Sequence, residues 1–112
     1  MRKLRGGAYS EVRRSWKSGE IHHVPAASVS RLSRDEGPAI WMSKRDHRKT
    51  ASYGSSREAR RYREKQRELI EAGNFKKAFE MDIRDIRREF GNKYDEAIQQ
   101  ARQYAKKQGF FD

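Results

Sequence analysis

The sequence predicts an α+β fold, a short β-hairpin plus helix followed by a mainly helical C-terminal half. Three observations lead there. Two brief apolar runs, Glu20–Val24 and Pro38–Met42, flank a polar stretch in the first half. Residues 55–112 instead carry apolar side chains at three- and four-residue spacing, broken at Gly73, Gly91 and Gly109. The chain is also lean, with 34% hydrophobic and 38% charged residues among 112 and a mean hydropathy of −1.24. A chain of this length buries only about two-thirds of its unfolded surface, so its core is small. A substrate held on the outside suits it better than one enclosed in a large pocket.

Residues 1–19 are basic, contain Gly6-Gly7 and show no helical period, so they are expected to form a basic N-terminal segment or linker anchored by Tyr9, Val12 and Trp16. Glu20–Val24 reads as a strand ended by Pro25, which cannot donate to a ladder. Residues 26–37 form a polar loop in which Val29 and Leu32 are packing points, and Pro38–Met42 is a second strand. Ser43-Lys44-Arg45-Asp46 has the form of a helix N-terminus, which places His47 in the first turn of a short helix reaching about Ala51. These pieces form a unit over residues 20–54. Residues 55–112 are expected to pack on it as a helical subdomain.

In that second half, Ser55-Ser56-Arg57-Glu58 is a capping box for a helix reaching about Ala72, with Ala59, Tyr62, Gln66, Leu69 and Ile70 on one face. Phe75, Ala78, Phe79, Ile83, Ile86 and Phe90 stripe the next helix. Tyr94, Ala97, Ile98, Ala101, Tyr104 and Ala105 stripe the last. Such stripes are core rather than ligand boxes.

Charge gives the strongest clue to partners. There are 27 Lys and Arg against 16 Asp and Glu, a net charge of +11. Residues 1–49 hold 12 basic and 5 acidic side chains, so the excess is concentrated in the half that carries all three histidines. Such a field attracts polyanions through counterion release and speeds their encounter. No cysteine is present, which excludes disulfides and thiolate metal sites and leaves the chain indifferent to redox compartment. No apolar run approaches the roughly 18 residues of a membrane span.

His22 and His23 are adjacent, with Glu20 two places before and Pro25 two places after. On a regular strand Glu20 and His22 share a face while His23 points away. A chemical role for both rings therefore needs the doublet at a strand end, where the chain bends. One ring can then bind a metal while its neighbour accepts a proton from water, and imidazole suits both tasks. His47, carried beside the strand by the hairpin and helix, is a candidate second ligand.

The string "GEIHHVPA" resembles the first strand of the HNH/endonuclease VII superfamily, the ββα-metal nucleases, where colicin-type DNase domains carry Glu-x-His-His. "AIWMSKRDH" resembles the second strand and helix start of that fold. Similar "GPAI…M…DH…T.SYGS" segments and helical tails like "YREKQRELIEAGNF" occur in bacterial polymorphic-toxin nucleases with a Glu-His-His-His signature. The resemblance implies that residues 20–54 are the ββα-metal catalytic core and that one divalent ion (Mg, Mn, Ni or Zn) is the cofactor. His22 and His47 would ligate the metal, His23 would be the general base, and Glu20 would orient a basic partner or the histidine pair. Lys44, Arg45, Arg48, Lys49 and Arg5 are the expected nucleic-acid contacts, aided by the helix start near Ser43. Arg5, Arg13 and Arg14 are candidate partners of Glu20. The sequence departs from colicin-type nucleases at Ala51, where a further histidine is expected. Thr50, Asp46 or water would complete the sphere there.

The function so implied is a metal-dependent, largely sequence-nonspecific endonuclease acting on DNA, with RNA as the other possible substrate. The same resemblance implies a toxin or effector, the C-terminal domain of a longer protein delivered into the cytoplasm of a target bacterium. It also implies a cognate immunity protein with an acidic binding face. The rival reading is a non-catalytic basic nucleic-acid-binding module whose histidines are structural or hold a stabilising metal.

Overall fold

A computed structural model describes residues 4–112. The order of elements is β1 (Gly6–Ala8), α1 (Tyr9–Ser15), β2 (Glu20–His23), β3 (Pro38–Met42), α2 (Lys44–His47), α3 (Arg57–Glu71), α4 (Phe75–Phe90) and α5 (Asp95–Lys107). The α+β architecture is as expected, but the sheet has three antiparallel strands in the order β1-β3-β2 rather than two. No helix among the described residues is long and apolar enough to cross a membrane.

The third strand comes from the segment expected to be a linker. Gly6, Gly7 and Ala8 lie opposite Ile40, Ala39 and Pro38, and α1 follows directly, burying Tyr9 and Val12. The glycines that made this stretch look like a spacer allow close packing instead. A Cβ on Gly6 would sit 2.0 Å from the Ala97 carbonyl oxygen and 3.0 Å from the Ala101 nitrogen, both backbone atoms of α5. Gly6→Ala is therefore expected to force β1 away from α5 and to lower stability by about 1–3 kcal/mol, read as a shift in the urea midpoint. Residues 1–3 of the expected linker lie outside the described residues.

β2 pairs with β3 in the register Glu20↔Met42, Ile21↔Trp41, His22↔Ile40 and His23↔Ala39. The strand stops at His23, and Val24 N–H donates to the Pro38 carbonyl just beyond it. Helix α2 is shorter than expected, ending at His47, although Ser43 caps it as its sequence suggests by accepting from Asp46 N–H. Likewise Ser56, not Ser55, caps α3, its hydroxyl accepting from Ala59 N–H.

The three helical stripes meet as expected. Phe79, Ile83 and Ile86 of α4 join Ala97, Ile98 and Ala101 of α5 against Val24, Ile40 and Met42. A satellite cluster seats Val29 of the 26–37 loop on Ile70 and Ala78, at the α3–α4 hairpin. Removing such side chains from water is the main stabilising contribution in a chain with so small a core.

Candidate functional site

Strand alternation sends the two adjacent histidines to different neighbours. His22 is 3% exposed, with its ring 5.0 Å from that of His47. His23 stacks on Tyr9 of α1, with centroids 4.3 Å apart and planes within 8°. Because β2 ends at His23, all three imidazoles still line one small cavity. It measures about 230 Å³ and is completed by Ile21, Ala26, Ala27, Ser52 and Tyr53.

The hydrogen bonds assign the ring nitrogens. His47 Nδ1–H donates to Glu20 Oε1 at 2.7 Å, which in the neutral ring leaves Nε2 with the lone pair. His23 Nε2–H donates to the Arg34 carbonyl at 2.8 Å, leaving Nδ1 to accept a proton. His22 Nε2 is fully buried and has no hydrogen-bond partner. Burial above all, with the neighbouring imidazoles of His47 and His23 adding, pushes His22 down to about 3, so this ring is neutral at neutral pH. Burial also lowers His23, against the opposing pull of the Arg34 carbonyl. The hydrogen bond from His47 holds Glu20 below the usual carboxylate range.

His23 is clamped on several sides. Arg34 Nη2 donates to the Tyr9 hydroxyl at 2.8 Å and lies 5.0 Å over the Tyr9 ring, so the aromatic ring that stacks on His23 is itself held. Gly37 packs against the imidazole, where a Cβ would come within 3.1 Å of His23 Cδ2.

Several expected placements change. Glu20 is not partnered by Arg5, Arg13 or Arg14. It is bonded to His47, and its second oxygen lies 3.9 Å from Arg48. Arg5 sits instead 3.9 Å from Glu96 and 5.6 Å over the Trp16 ring. Asp46 points away from the histidines, where its Oδ2 accepts from Lys93 Nζ and the Tyr94 hydroxyl, each at 2.6 Å. The Thr50 hydroxyl donates to the His47 carbonyl. Neither side chain therefore completes a metal sphere. At the start of α2, Ser43 N–H donates to the Tyr94 hydroxyl and Asp46 N–H to the Ser43 hydroxyl. Lys44, Arg45, Arg48 and Lys49, which flank His47 in the chain, are exposed.

Among the described residues, no group of three or more His, Cys, Asp or Glu is arranged to hold a metal ion. Two imidazoles remain, one with an unpartnered buried nitrogen and the other with Nε2 left free by the bond to Glu20. That donor set fits a divalent ion held by two protein nitrogens, with the rest of its sphere open to water and phosphate oxygens.

The helical half grips the loop after α2 from two more sides. Asp85 Oδ2 accepts from Ala51 N–H at 2.8 Å, and Arg63 donates to the carbonyls of Ser52 and Gly54. This delivers Tyr53, whose ring edge meets His47 at 5.1 Å, a lining residue that sequence reading missed. Its advance signal was its place in the "T.SYGS" segment, just beyond the expected helix. No protein-family model, curated protein or solved structure matches the chain.

Proposed function

We propose that the chain is a metal-dependent endonuclease whose reaction centre is the cavity of three histidines. The observation that carries this is the division of labour among ring nitrogens. His47 Nδ1 and His23 Nε2 are each committed to an oxygen acceptor, which leaves the other nitrogen of each ring available for chemistry. His22 and His47 would hold a divalent ion, which when bound supplies positive charge to polarise the phosphate. His23 Nδ1 takes the proton from the water that attacks phosphorus as the bond from phosphorus to the leaving sugar oxygen breaks, that oxygen takes a proton from solvent water, and the Arg34 carbonyl stabilises the imidazolium that results. Glu20 fixes the His47 ring in the tautomer that keeps Nε2 unprotonated. Lys44, Arg45, Arg48 and Lys49 hold backbone phosphates beside the cavity, a role that reads charge and not sequence.

DNA as the preferred substrate, the bacterial toxin role, delivery into a target cell and an acidic immunity partner all rest on the resemblance to polymorphic-toxin nucleases. The net charge of +11 supports a polyanionic substrate.

The test is plasmid cleavage with Mg²⁺, Mn²⁺, Ni²⁺ or Zn²⁺, with and without EDTA, run beside an RNA substrate. Metal-dependent nicking is expected. A protein that binds DNA but cuts neither nucleic acid with any of these ions would be a binding module, and the nuclease reading would fall. Calorimetry separates the roles within the cluster. His47→Ala is expected to weaken metal binding by about tenfold or more, whereas His23→Ala leaves it nearly unchanged. Equal losses would mean that the two roles are wrongly assigned.

A further inference from the structure

A groove of about 440 Å³, lined by residues of both α3 and α4, shares no residue with the histidine cavity. Its apolar floor is Leu69 of α3 and Met81 of α4, both half-buried. Leu69 also packs on the satellite cluster of Val29, Ile70 and Ala78, whereas Met81 joins neither core cluster among the described residues. The reason is its place on the helix. Met81 lies two residues from both Phe79 and Ile83, roughly 160° around α4 from the stripe that enters the main core. A methionine on that side is an adaptable apolar contact with no role in this chain's own core.

The rim of the groove is cationic. Lys65 of α3 and Lys76, Lys77 and Arg84 of α4 are all exposed, and none is engaged in an ion pair among the described residues. Glu80, the carboxylate in the lining, is already paired with Arg102 of α5. The groove therefore presents four uncompensated cations around an apolar floor. No aromatic ring lines it, so a nucleic-acid base has nothing there to stack on. A second copy of this chain, at a net charge of +11, would bring cations to cations. An apolar floor inside a ring of free cations is instead complementary to apolar side chains flanked by carboxylates.

The spacing fits a helix. Lys77, Met81 and Arg84 occupy positions i, i+4 and i+7 of α4, so two cations roughly 10 Å apart along the axis bracket one apolar contact. A helix laid along the groove meets them with carboxylates at i and i+7 and an apolar side chain at i+3 or i+4. We infer that this groove docks an acidic amphipathic helix of a partner protein, its apolar side chains on Leu69 and Met81 and its carboxylates on Lys65, Lys76, Lys77 and Arg84. Because groove and cavity have no residue in common, the docking does not depend on the nuclease reading.

Met81 is the reporter. The protein is labelled with ¹³C at its methionine methyls and titrated with a synthetic peptide of about eighteen residues, its leucines at i, i+3 and i+7 flanked by glutamates. The Met81 resonance, assigned with Met81→Leu, is expected to shift and saturate, while that of Met42, fully buried in the main core, stays in place. Lys77→Glu/Arg84→Glu sets like charges against the peptide and is expected to weaken binding about tenfold or more. Lys106→Glu/Lys107→Glu makes the same change in net charge on exposed residues outside the groove, and should weaken it less than about threefold. A peptide with serines in place of the leucines keeps the charge and should bind about tenfold more weakly. An unmoved Met81, equal losses from the two charge reversals, or equal affinity for the leucine-free peptide would overturn the inference. An oligothymidylate that shifts Met81 as strongly as the peptide does would overturn it too, and would make the groove a nucleic-acid surface. A chain that passes these tests but never cuts nucleic acid keeps the docking groove and loses the nuclease reading.

Discussion

His23→Ala is expected to reduce single-turnover DNA cleavage by about 10²–10⁴-fold, the usual contribution of a positioned general base, while DNA binding by gel shift stays near wild type. The expectation follows from how the ring is held. Its face is stacked on Tyr9 and its Nε2 is bonded to the Arg34 carbonyl, so flipping the ring to present the other nitrogen would break that bond. On the nuclease reading Nδ1 is therefore the proton acceptor, in a cavity that also holds the candidate metal-binding pair. Removing the ring deletes the base and leaves His22, His47 and the Glu20 bond in place. A loss of less than about tenfold would place the base elsewhere. A collapse of DNA binding alongside cleavage would show that His23 acts through structure.

The second large effect concerns stability. Asp82 is fully buried in α4, where its Oδ1 accepts from the Tyr62 hydroxyl at 2.8 Å and its Oδ2 has no partner. Burial pushes its carboxyl up to about 7, against the pull of the Tyr62 hydrogen bond. The folded protein therefore holds this proton to about pH 7, whereas the unfolded chain releases it near 3.8. Between those values the folded state binds more protons, so this group makes stability fall as pH rises. Below that window both states are protonated and the penalty vanishes, while above it the penalty is complete. At about 1.4 kcal/mol for each pH unit of the interval, the full penalty is of order 4 kcal/mol. Asp82→Asn keeps the acceptor for Tyr62 and removes the charge. The variant is expected to gain roughly 1–3 kcal/mol over wild type at pH 8, less than the full penalty because the buried amide needs partners of its own. At pH 4 the two should be nearly equal. Urea midpoints across this range measure the difference between the two profiles, which isolates Asp82 from other titrating groups. Parallel profiles would mean that Asp82 is ionised and compensated at all these pH values.

Asp82 also illustrates what sequence patterning misses. The α4 stripe of Phe79, Ile83 and Ile86 was legible because apolar spacing reports burial. Asp82 and Asp85 sit on the flank of that helix, outside its apolar stripe. They are buried because a second surface, formed by α3 and the loop after α2, covers that flank. Tyr62 and Ala51 supply the bonds that make their burial tolerable. Patterning along one segment carries no information about a partner that arrives from elsewhere in the chain.

The linker expectation failed for a related reason. Gly6-Gly7 is a spacer signal by composition, yet in the fold its lack of side chains lets β1 lie against the α5 backbone. Sequence reading treats glycine as freedom of the local chain, whereas here it is room for a neighbouring helix more than ninety residues away.

The sequence by itself determined the α+β division, the second strand of the hairpin, the caps at Ser43 and over the 55–56 pair to within a residue, and the three helical stripes. It also located the histidine cluster, through the doublet at a strand end and His47 at the start of a helix. These features are local, set by capping, periodicity and chain reversal within a few residues. The tertiary structure decided which nitrogen of each ring is committed, because Glu20 and Arg34 reach His47 and His23 from separate elements. It turned Asp46 toward Lys93 and Tyr94 and away from the cavity, and it set Tyr9 under His23. It brought Trp16 and Trp41 together in a parallel stack. Each of these depends on contacts between segments distant in sequence, and such contacts exist only once the chain has packed.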